Sequence, residues 1–261
     1  MSLASLDGAV LPVAEASISV TDEGLLRGDG VFEVIRLYGG RPFALDEHLE
    51  RMAGSASNLR LPLDTNAMRS DIEGLLAAAE PGEALLRAVA TRGGRRIVLI
   101  EELPPHPPTI RLASVTYAPP RILDGVKSLS YGGNMLATRL AKERGADEAL
   151  LVTPHGRVLE GPTSTFFWAR DGVLRTPPLD EHILDSITRR ILVEELEVEQ
   201  ASCALDDVAG ADEAFLASTV REVQGISEVD GRALPVDGPL TTRAAERFRA
   251  RVRAAMGEPV G

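Results

Sequence analysis

Two side chains in the middle of the chain have the types and spacing to do carbonyl chemistry. Lys127 opens the run K-S-L-S-Y-G-G-N between apolar Val126 and Leu129, and Glu160 closes V-L-E after a helix and a strand. Desolvation disfavours the ammonium form, so a lysine in an apolar setting releases its proton cheaply. A neutral amine is what Schiff-base chemistry on a carbonyl cofactor needs. A carboxylate further along can hold the ring nitrogen of such a cofactor and make the ring an electron sink. One lysine and one glutamate also occur in any protein as solvated surface residues, so the elements that would position them have to be read next.

Residues 3–20 alternate around Asp7-Gly8, a dipeptide suited to a tight hairpin because both positions tolerate positive φ. Val31–Leu37 reads as a strand, with Gly39-Gly40 closing another hairpin. Asp46 is the expected N-cap of the following helix, where Leu49, Met52, Ala53 and Ala56 recur at helical spacing and Arg51 falls off the stripe. A second helix covers about 65–79, and strands follow at Ala84–Thr91 and Ile97–Glu101, joined by the basic turn 92–96. After the rigid break L-P-P-H-P-P comes a strand at Ile110–Tyr117. Lys127 is expected to start a strand, with a short amphipathic helix after Gly132-Gly133-Asn134. Further strands are expected at Glu148–Thr153 and Thr165–Ala169, and helices at Ile187–Val198 and Arg243–Ala255. The fold class is α+β, with two α/β domains: 1–117, a linker at 118–124, and 125–261 carrying the lysine.

Composition narrows the classes. The 261 residues are 44% hydrophobic and 26% charged, the balance of an ordinary globular protein of one large or two modest domains. A net charge of −11 argues against nucleic-acid and anionic-membrane partners while leaving room for a local anion pocket. No apolar run approaches a bilayer span, and the first residues lack the basic and apolar regions of a signal peptide. Cys203 is the sole cysteine, so no internal disulfide can form, and a reducing cytoplasm is the expected compartment. His48, His106, His155 and His182 show no ligand spacing, so no metal site is expected. R-G-D-G-V lacks the spacing of nucleotide-binding loops, and G-x-S-x-G does not occur.

Four places could hold an anion, and each has a simpler alternative. Ser186-Ile187-Thr188 begins a helix, where free amides and the helix dipole favour phosphate, but the stretch also reads as ordinary N-capping. Ser218 and Thr219 follow an apolar strand and could hold phosphate or satisfy a turn. Arg51 lies on a helix, where arginines are mostly solvated. Arg92, Arg95 and Arg96 could trap a substrate carboxylate or merely decorate a hairpin.

The order of the motifs carries more than any one of them. R-G-D-G-V-F-E (27–33), H-L-E-R (48–51), K-S-L-S-Y-G-G-N (127–134), D-E-A-L-L-V (147–152), V-L-E-G (158–161), L-D-S-I-T-R (184–189) and S-T-V-R-E-V (218–223) together resemble the class IV (fold type IV) pyridoxal-phosphate aminotransferases, from about residue 5 to 250. The resemblance implies pyridoxal 5'-phosphate in a cleft between two domains, and a homodimer. It implies Lys127 as the amine that joins the cofactor's aldehyde and shuttles the proton, and Glu160 on the pyridine nitrogen. It also implies Arg51, Ile187, Thr188 and Thr219 around the phosphate; Ser218, Ser164 and Thr165 are further expected cofactor contacts, and Phe32 with Arg92, Arg95 and Arg96 are the expected substrate-side residues. Two departures stand out: E-G-P-T-S-T at 160–165 puts Thr165 where relatives often carry Asn, and Asp185 adds a carboxylate beside the phosphate loop.

Within the family, Lys127 and Asn134 are seven residues apart. That spacing is similar to D-amino-acid aminotransferases, whereas branched-chain enzymes typically show K-x-G-G-N. V-L-E-G-P-T-S-T and L-R-A-V-A-T-R-G-G also resemble 4-amino-4-deoxychorismate lyases, which would release pyruvate with the same lysine. The expected activity is transamination between an amino acid, D-amino acids favoured, and a 2-oxo acid. The lyase is the alternative, and branched-chain L-amino-acid transfer is less favoured.

Overall fold

The computed structural model describes residues 2–236 and 238–257. The chain forms two compact units, one running through Pro104 and taking in Val126–Tyr131, the other made of Pro105–Gly125 and the chain from Gly132 onward.

In the first unit the elements are β1 (Leu3–Leu6), β2 (Ala9–Pro12), α1 (Glu23–Arg27), β3 (Gly30–Tyr38), β4 (Arg41–Pro42), α2 (Leu45–Asn58), α3 (Thr65–Ala78), β5 (Ala84–Thr91) and β6 (Arg96–Glu102). The strands make one antiparallel sheet in the order β2-β1-β6-β5-β3-β4. Asp7 and Gly8 carry the expected positive φ, 52° and 91°, at the first hairpin. Alternation along β3 sends Val31, Ile35 and Leu37 into a core with Leu49, Met52 and Ala56 of α2 and Met68, Ile72 and Leu75 of α3. Asp64 caps α3 by accepting the amides of Asn66 and Ala67, both at 3.0 Å. The expected cap at Asp46 is not formed: α2 begins one residue before it, after Ala44, and Asp46 sits in the first turn, where it pairs with Arg69.

The second unit contains β7 (Thr109–Thr116), α4 (Gly132–Glu143), β8 (Glu148–Val152), β9 (Arg157–Val158), β10 (Thr165–Arg170), β11 (Val173–Thr176), α5 (Ile187–Glu195), β12 (Val198–Gln200), β13 (Cys203–Ala204), α6 (Leu205–Val208), β14 (Glu213–Ser218), β15 (Glu222–Val229), β16 (Arg232–Ala233) and α7 (Pro239–Ala255). Its ten-stranded mixed sheet runs β12-β11-β10-β14-β15-β7-β8-β9-β13, with β16 paired to β15. β8 is buried on both faces: Leu150 and Val152 join the core of Phe166, Trp168 and Leu216, while Ala149 and Leu151 pack on Ala137 and Ala141 of α4. Helix α5 stops at Glu195 rather than Val198, because Val198 pairs with Leu174 in a parallel ladder. Helix α7 starts at Pro239, four residues before the sequence reading. No side chain of its own caps it; the buried carboxylate of Glu213 accepts the Leu240 and Thr241 amides at 3.0 and 2.6 Å.

The domain boundary needs correction. The expected division, 1–117 and 125–261 with a linker at 118–124, gives β7 to the first domain and Lys127 to the second. In the structure β7 pairs in parallel with β8 and β15, so the first proline-rich break, at 103–108, marks the change of unit. Lys127 lies instead in the segment that returns to the first unit. Val126 packs against that unit's core, Ser128 bridges Val31, and Leu129 N–H donates to the Gly30 carbonyl at 2.9 Å. This contact explains the glycines of R-G-D-G. A Cβ on Gly30 would sit 2.5 Å from both the Ala90 carbonyl oxygen and Leu129, and Gly28 turns at φ 66° against Ser130.

No helix among the described residues is long and apolar enough to cross a membrane, and no group of three or more His, Cys, Asp or Glu side chains among them is placed to hold a metal. Leu86 is fully buried at the centre of the first sheet, so Leu86→Ala should cost about 2–5 kcal/mol in chemical denaturation. Burial, then the Asp207 charge, push the Cys203 thiol up to about 12. The native protein should therefore resist alkylation at pH 8 and react once unfolded; rapid labelling of the native fold would contradict its buried placement.

Candidate active site

The candidate residues fall into two sets, one on each unit. In the first, main-chain bonds clamp Lys127: its N–H donates to Ser55 Oγ at 3.1 Å, and its carbonyl accepts the Phe32 N–H at 3.1 Å. The segment is extended and bridged to β3 but is not a regular strand, so the expectation that Lys127 starts one is not met. The ammonium lies 4.4 Å from the Phe32 ring centroid and 5.8 Å from that of Tyr131, and the two rings meet edge to face at 5.2 Å. Arg87 stands over the same Phe32 ring at 5.6 Å while pairing side-on with Glu101 at 2.7 and 2.9 Å. Phe32 and Lys127 are thus brought together, and Tyr131 and Arg87 join them without having been singled out from the sequence.

Arg51 is not the solvated helix arginine its off-stripe position suggests. Its Nε and Nη2 donate to Glu33 Oε1 and Oε2 at 2.7 and 2.6 Å, and His48 Nδ1 lies 2.7 Å from Oε2. Glu33 and His48 are fully buried. Burial by itself would raise the Glu33 carboxyl, but Arg51 and His48 outweigh it and hold it at about 2. Desolvation keeps His48 below its ordinary value despite the bond to Glu33. The ring is therefore neutral, with Nδ1–H donating to the carboxylate. The signal was present in the sequence, since 31, 33, 35 and 37 form one face of a strand whose other members are apolar.

The three turn arginines already have carboxylate partners in the first unit. Arg92 pairs with Asp29 at 3.0 Å and also donates to the Leu59 and Arg60 carbonyls, Arg95 pairs with Asp7 at 2.6 Å, and Arg96 pairs with Asp71 at 2.7 Å. Each ties the turn to its own scaffold.

On the second unit, Glu160 lies between β9 and the 161–165 loop. Both its carboxylate oxygens lie within hydrogen-bonding reach of the Leu184 N–H, at 3.3 and 3.4 Å. Burial and then the Glu160 charge raise the phenol of Tyr117, which places that ring in the carboxylate's field. Asn134 Nδ2 donates to the Pro162 carbonyl at 2.9 Å, holding α4 to the loop after Glu160. Ser164 Oγ and Thr165 Oγ1 are buried and have no hydrogen-bond partner. Ile187 and Thr188 occupy the first turn of α5, where backbone amides have no intrahelical acceptor, and Ser186 is the N-cap, accepting the Arg189 amide. The extra carboxylate, Asp185, is 3.5 Å from Arg190, so a cation stands beside its charge. Ser218 Oγ accepts the Arg221 N–H at 3.2 Å at the β14–β15 turn that carries Thr219. Arg221 then bonds Glu148 and Gln224, pinning that turn to β8 and β15.

Buried polar atoms without partners and first-turn amides need an outside group to complete them, and a phosphate at a helix N-terminus supplies one. An amine against two aromatic rings on the first unit, and a fixed carboxylate with unpartnered hydroxyls on the second, are each of a chemistry that fits pyridoxal phosphate.

Comparison with known proteins agrees. Residues 30–229 match the model of the amino-transferase class IV family. A putative branched-chain-amino-acid aminotransferase of Methanocaldococcus jannaschii is 35% identical across 94% of each chain, and a D-alanine aminotransferase of Bacillus licheniformis is 31% identical across 90% of this chain and 92% of its own. Among solved structures, the branched-chain aminotransferase of Thermoproteus uzoniensis with norvaline superposes with a TM-score of 0.90 at 29% identity, covering 99% of this chain and 96% of that one. A hypothetical aminotransferase of Mycobacterium tuberculosis in its PLP-bound form gives 0.89 at 26% identity, covering 97% and 99%. The chain belongs to the class IV aminotransferases, enzymes that use pyridoxal 5'-phosphate.

Proposed function

We propose that this enzyme moves an amino group between an amino acid and a 2-oxo acid with Lys127 as its catalytic amine, and that D-amino acids are its preferred donors. The observation that carries the reading is the Lys127 ammonium, 4.4 Å from the Phe32 ring on a segment fixed by main-chain bonds. When bound, pyridoxal phosphate supplies an electron sink for negative charge at the substrate Cα. Lys127 Nζ is the base that takes the Cα proton and hands it on. The Glu160 carboxylate holds a proton at the pyridine nitrogen. Arg51, the Ile187 and Thr188 amides, Thr188 itself, Ser218 and Thr219 bind the phosphate, and Ser164 and Thr165 lend hydroxyls beside the cofactor. Arg87, which lies over the Phe32 ring, would take up the substrate's acid group alongside or in exchange for Glu101, whereas Arg92, Arg95 and Arg96 brace their own turn.

The donor preference rests on the seven-residue Lys127–Asn134 spacing and is supported by D-alanine aminotransferases among the relatives. An L-branched-chain reading has its own support in the Methanocaldococcus relative and the Thermoproteus structure. A homodimer is supported by apolar side chains left exposed, Leu136 and Leu140 on α4 at 51% and 39%, and Leu25 and Leu26 on α1 at 59% each.

Lys127→Ala should abolish turnover with every donor while the fold, followed by circular dichroism, persists; wild-type rate in that variant would remove the assignment. With the wild-type holoenzyme, D-alanine and L-leucine are each added without a 2-oxo acid and the visible cofactor band is followed. Loss of that band with D-alanine alone supports the D-donor reading, and loss with L-leucine alone replaces it with the branched-chain one. A band unmoved by either, with pyruvate released from aminodeoxychorismate, would mark a lyase. Arg87→Ala should raise KM for the 2-oxo acid at least tenfold, while Arg92→Ala should act mainly on stability. Light scattering should return twice the chain mass.

A further inference from the structure

Glu33 lies in the core-facing row of β3 between Val31 and Ile35, and all three are fully buried. A carboxylate there is expensive unless every lone pair it shows is used. Arg51 takes both oxygens side-on, and His48 takes one of them a second time. Side-on pairing through Nε and Nη2 fixes the plane of the guanidinium as well as its position. The cost in charge is plain, because one full negative charge stands against the arginine that the function above assigns to the cofactor phosphate. His48 adds no compensating charge. Its Nε2 is buried and has no partner, and Arg51 and Lys127 both bear on the ring, disfavouring a proton there.

We propose that Glu33 and His48 are positioning residues for the phosphate site: Glu33 sets the orientation of Arg51, His48 sets Glu33 through its Nδ1–H, and orientation rather than net charge governs how well Arg51 grips a phosphate ester. The inference rests on the reading of Arg51 as a phosphate ligand. It differs in sign from a purely electrostatic account. If charge set the affinity, removing the Glu33 carboxylate would leave Arg51 more positive and tighten phosphate binding. If orientation sets it, the same change loosens binding.

The test is titration of the full-length apoenzyme with pyridoxal 5'-phosphate and, separately, with pyridoxal, which lacks the phosphate. Glu33→Gln should weaken binding of the phosphate form at least tenfold and leave pyridoxal binding within about twofold. Unchanged or tighter binding of pyridoxal 5'-phosphate, or an equal loss for both ligands, would overturn the proposal. Arg51→Ala tests the underlying reading: if it leaves the preference for the phosphate form intact, Arg51 is not the phosphate ligand, whatever Glu33→Gln does. A second pair covers a Glu33 variant that fails to fold. His48→Asn keeps a donor at the Nδ1 position and should retain the wild-type ratio of the two affinities, whereas His48→Leu removes the donor and should lower it. Equal ratios in the two variants would show that the His48–Glu33 bond positions nothing.

Discussion

A buried carboxylate facing a partly buried guanidinium is the constraint on which the first unit depends. Glu33 occupies a position that the strand's alternation reserves for apolar side chains, and it is tolerated there because α2 brings His48 and Arg51 to it on consecutive turns of one helix face. Remove Arg51 and an unpaired carboxylate is left in an apolar core, which costs several kcal/mol; remove His48 and one of its hydrogen bonds is lost. The pair thereby fixes the placement of α2 on β3 more narrowly than Leu49 and Met52 would alone, since dispersion contacts accept small slips that a side-on ion pair does not. One turn further along the same helix, Ser55 receives the main-chain N–H of Lys127. The helix that pairs Arg51 with Glu33 therefore also anchors the main chain of Lys127.

The segment 126–131 shows how a backbone can be held without belonging to a regular strand. Its bonds to Phe32, Gly30 and Ser55 use main-chain atoms on one side and leave the Lys127 side chain against the Phe32 and Tyr131 rings. Close approach of two backbones requires that one lack a Cβ, and Gly30 supplies that condition. The motif that reads as a failed nucleotide loop is thus a packing device for the lysine segment.

On the second unit the polar groups are prepared in another way. There Ser164 and Thr165 hold buried hydroxyls with no hydrogen-bond partner, and a charged network from Glu148 through Arg221 to Gln224 stiffens the turn between β14 and β15. Burial raises the Glu148 carboxyl despite its arginine neighbour, so this network is held under a desolvation cost. Such costs are repaid where a rigid turn has work to do.

Local chemistry determined much of this protein. The Asp7-Gly8 hairpin, the strands at 31–37 and 84–91, helix α3, and the ordered motifs that identify the family all follow from short-range preference and spacing, and the structure keeps them. What the sequence could not decide depends on partners distant along the chain. The allegiance of β7 is set by parallel neighbours that follow it by some thirty and a hundred residues, and the start of α7 by a carboxylate on β14. The roles of the arginines show the same division. Arg92, Arg95 and Arg96 look available in the sequence and are committed to Asp29, Asp7 and Asp71, while Arg51 looks solvated and is locked to Glu33. Which ion meets which is a property of folded space, because Coulomb attraction and desolvation act through distance and burial, and neither is written in residue order.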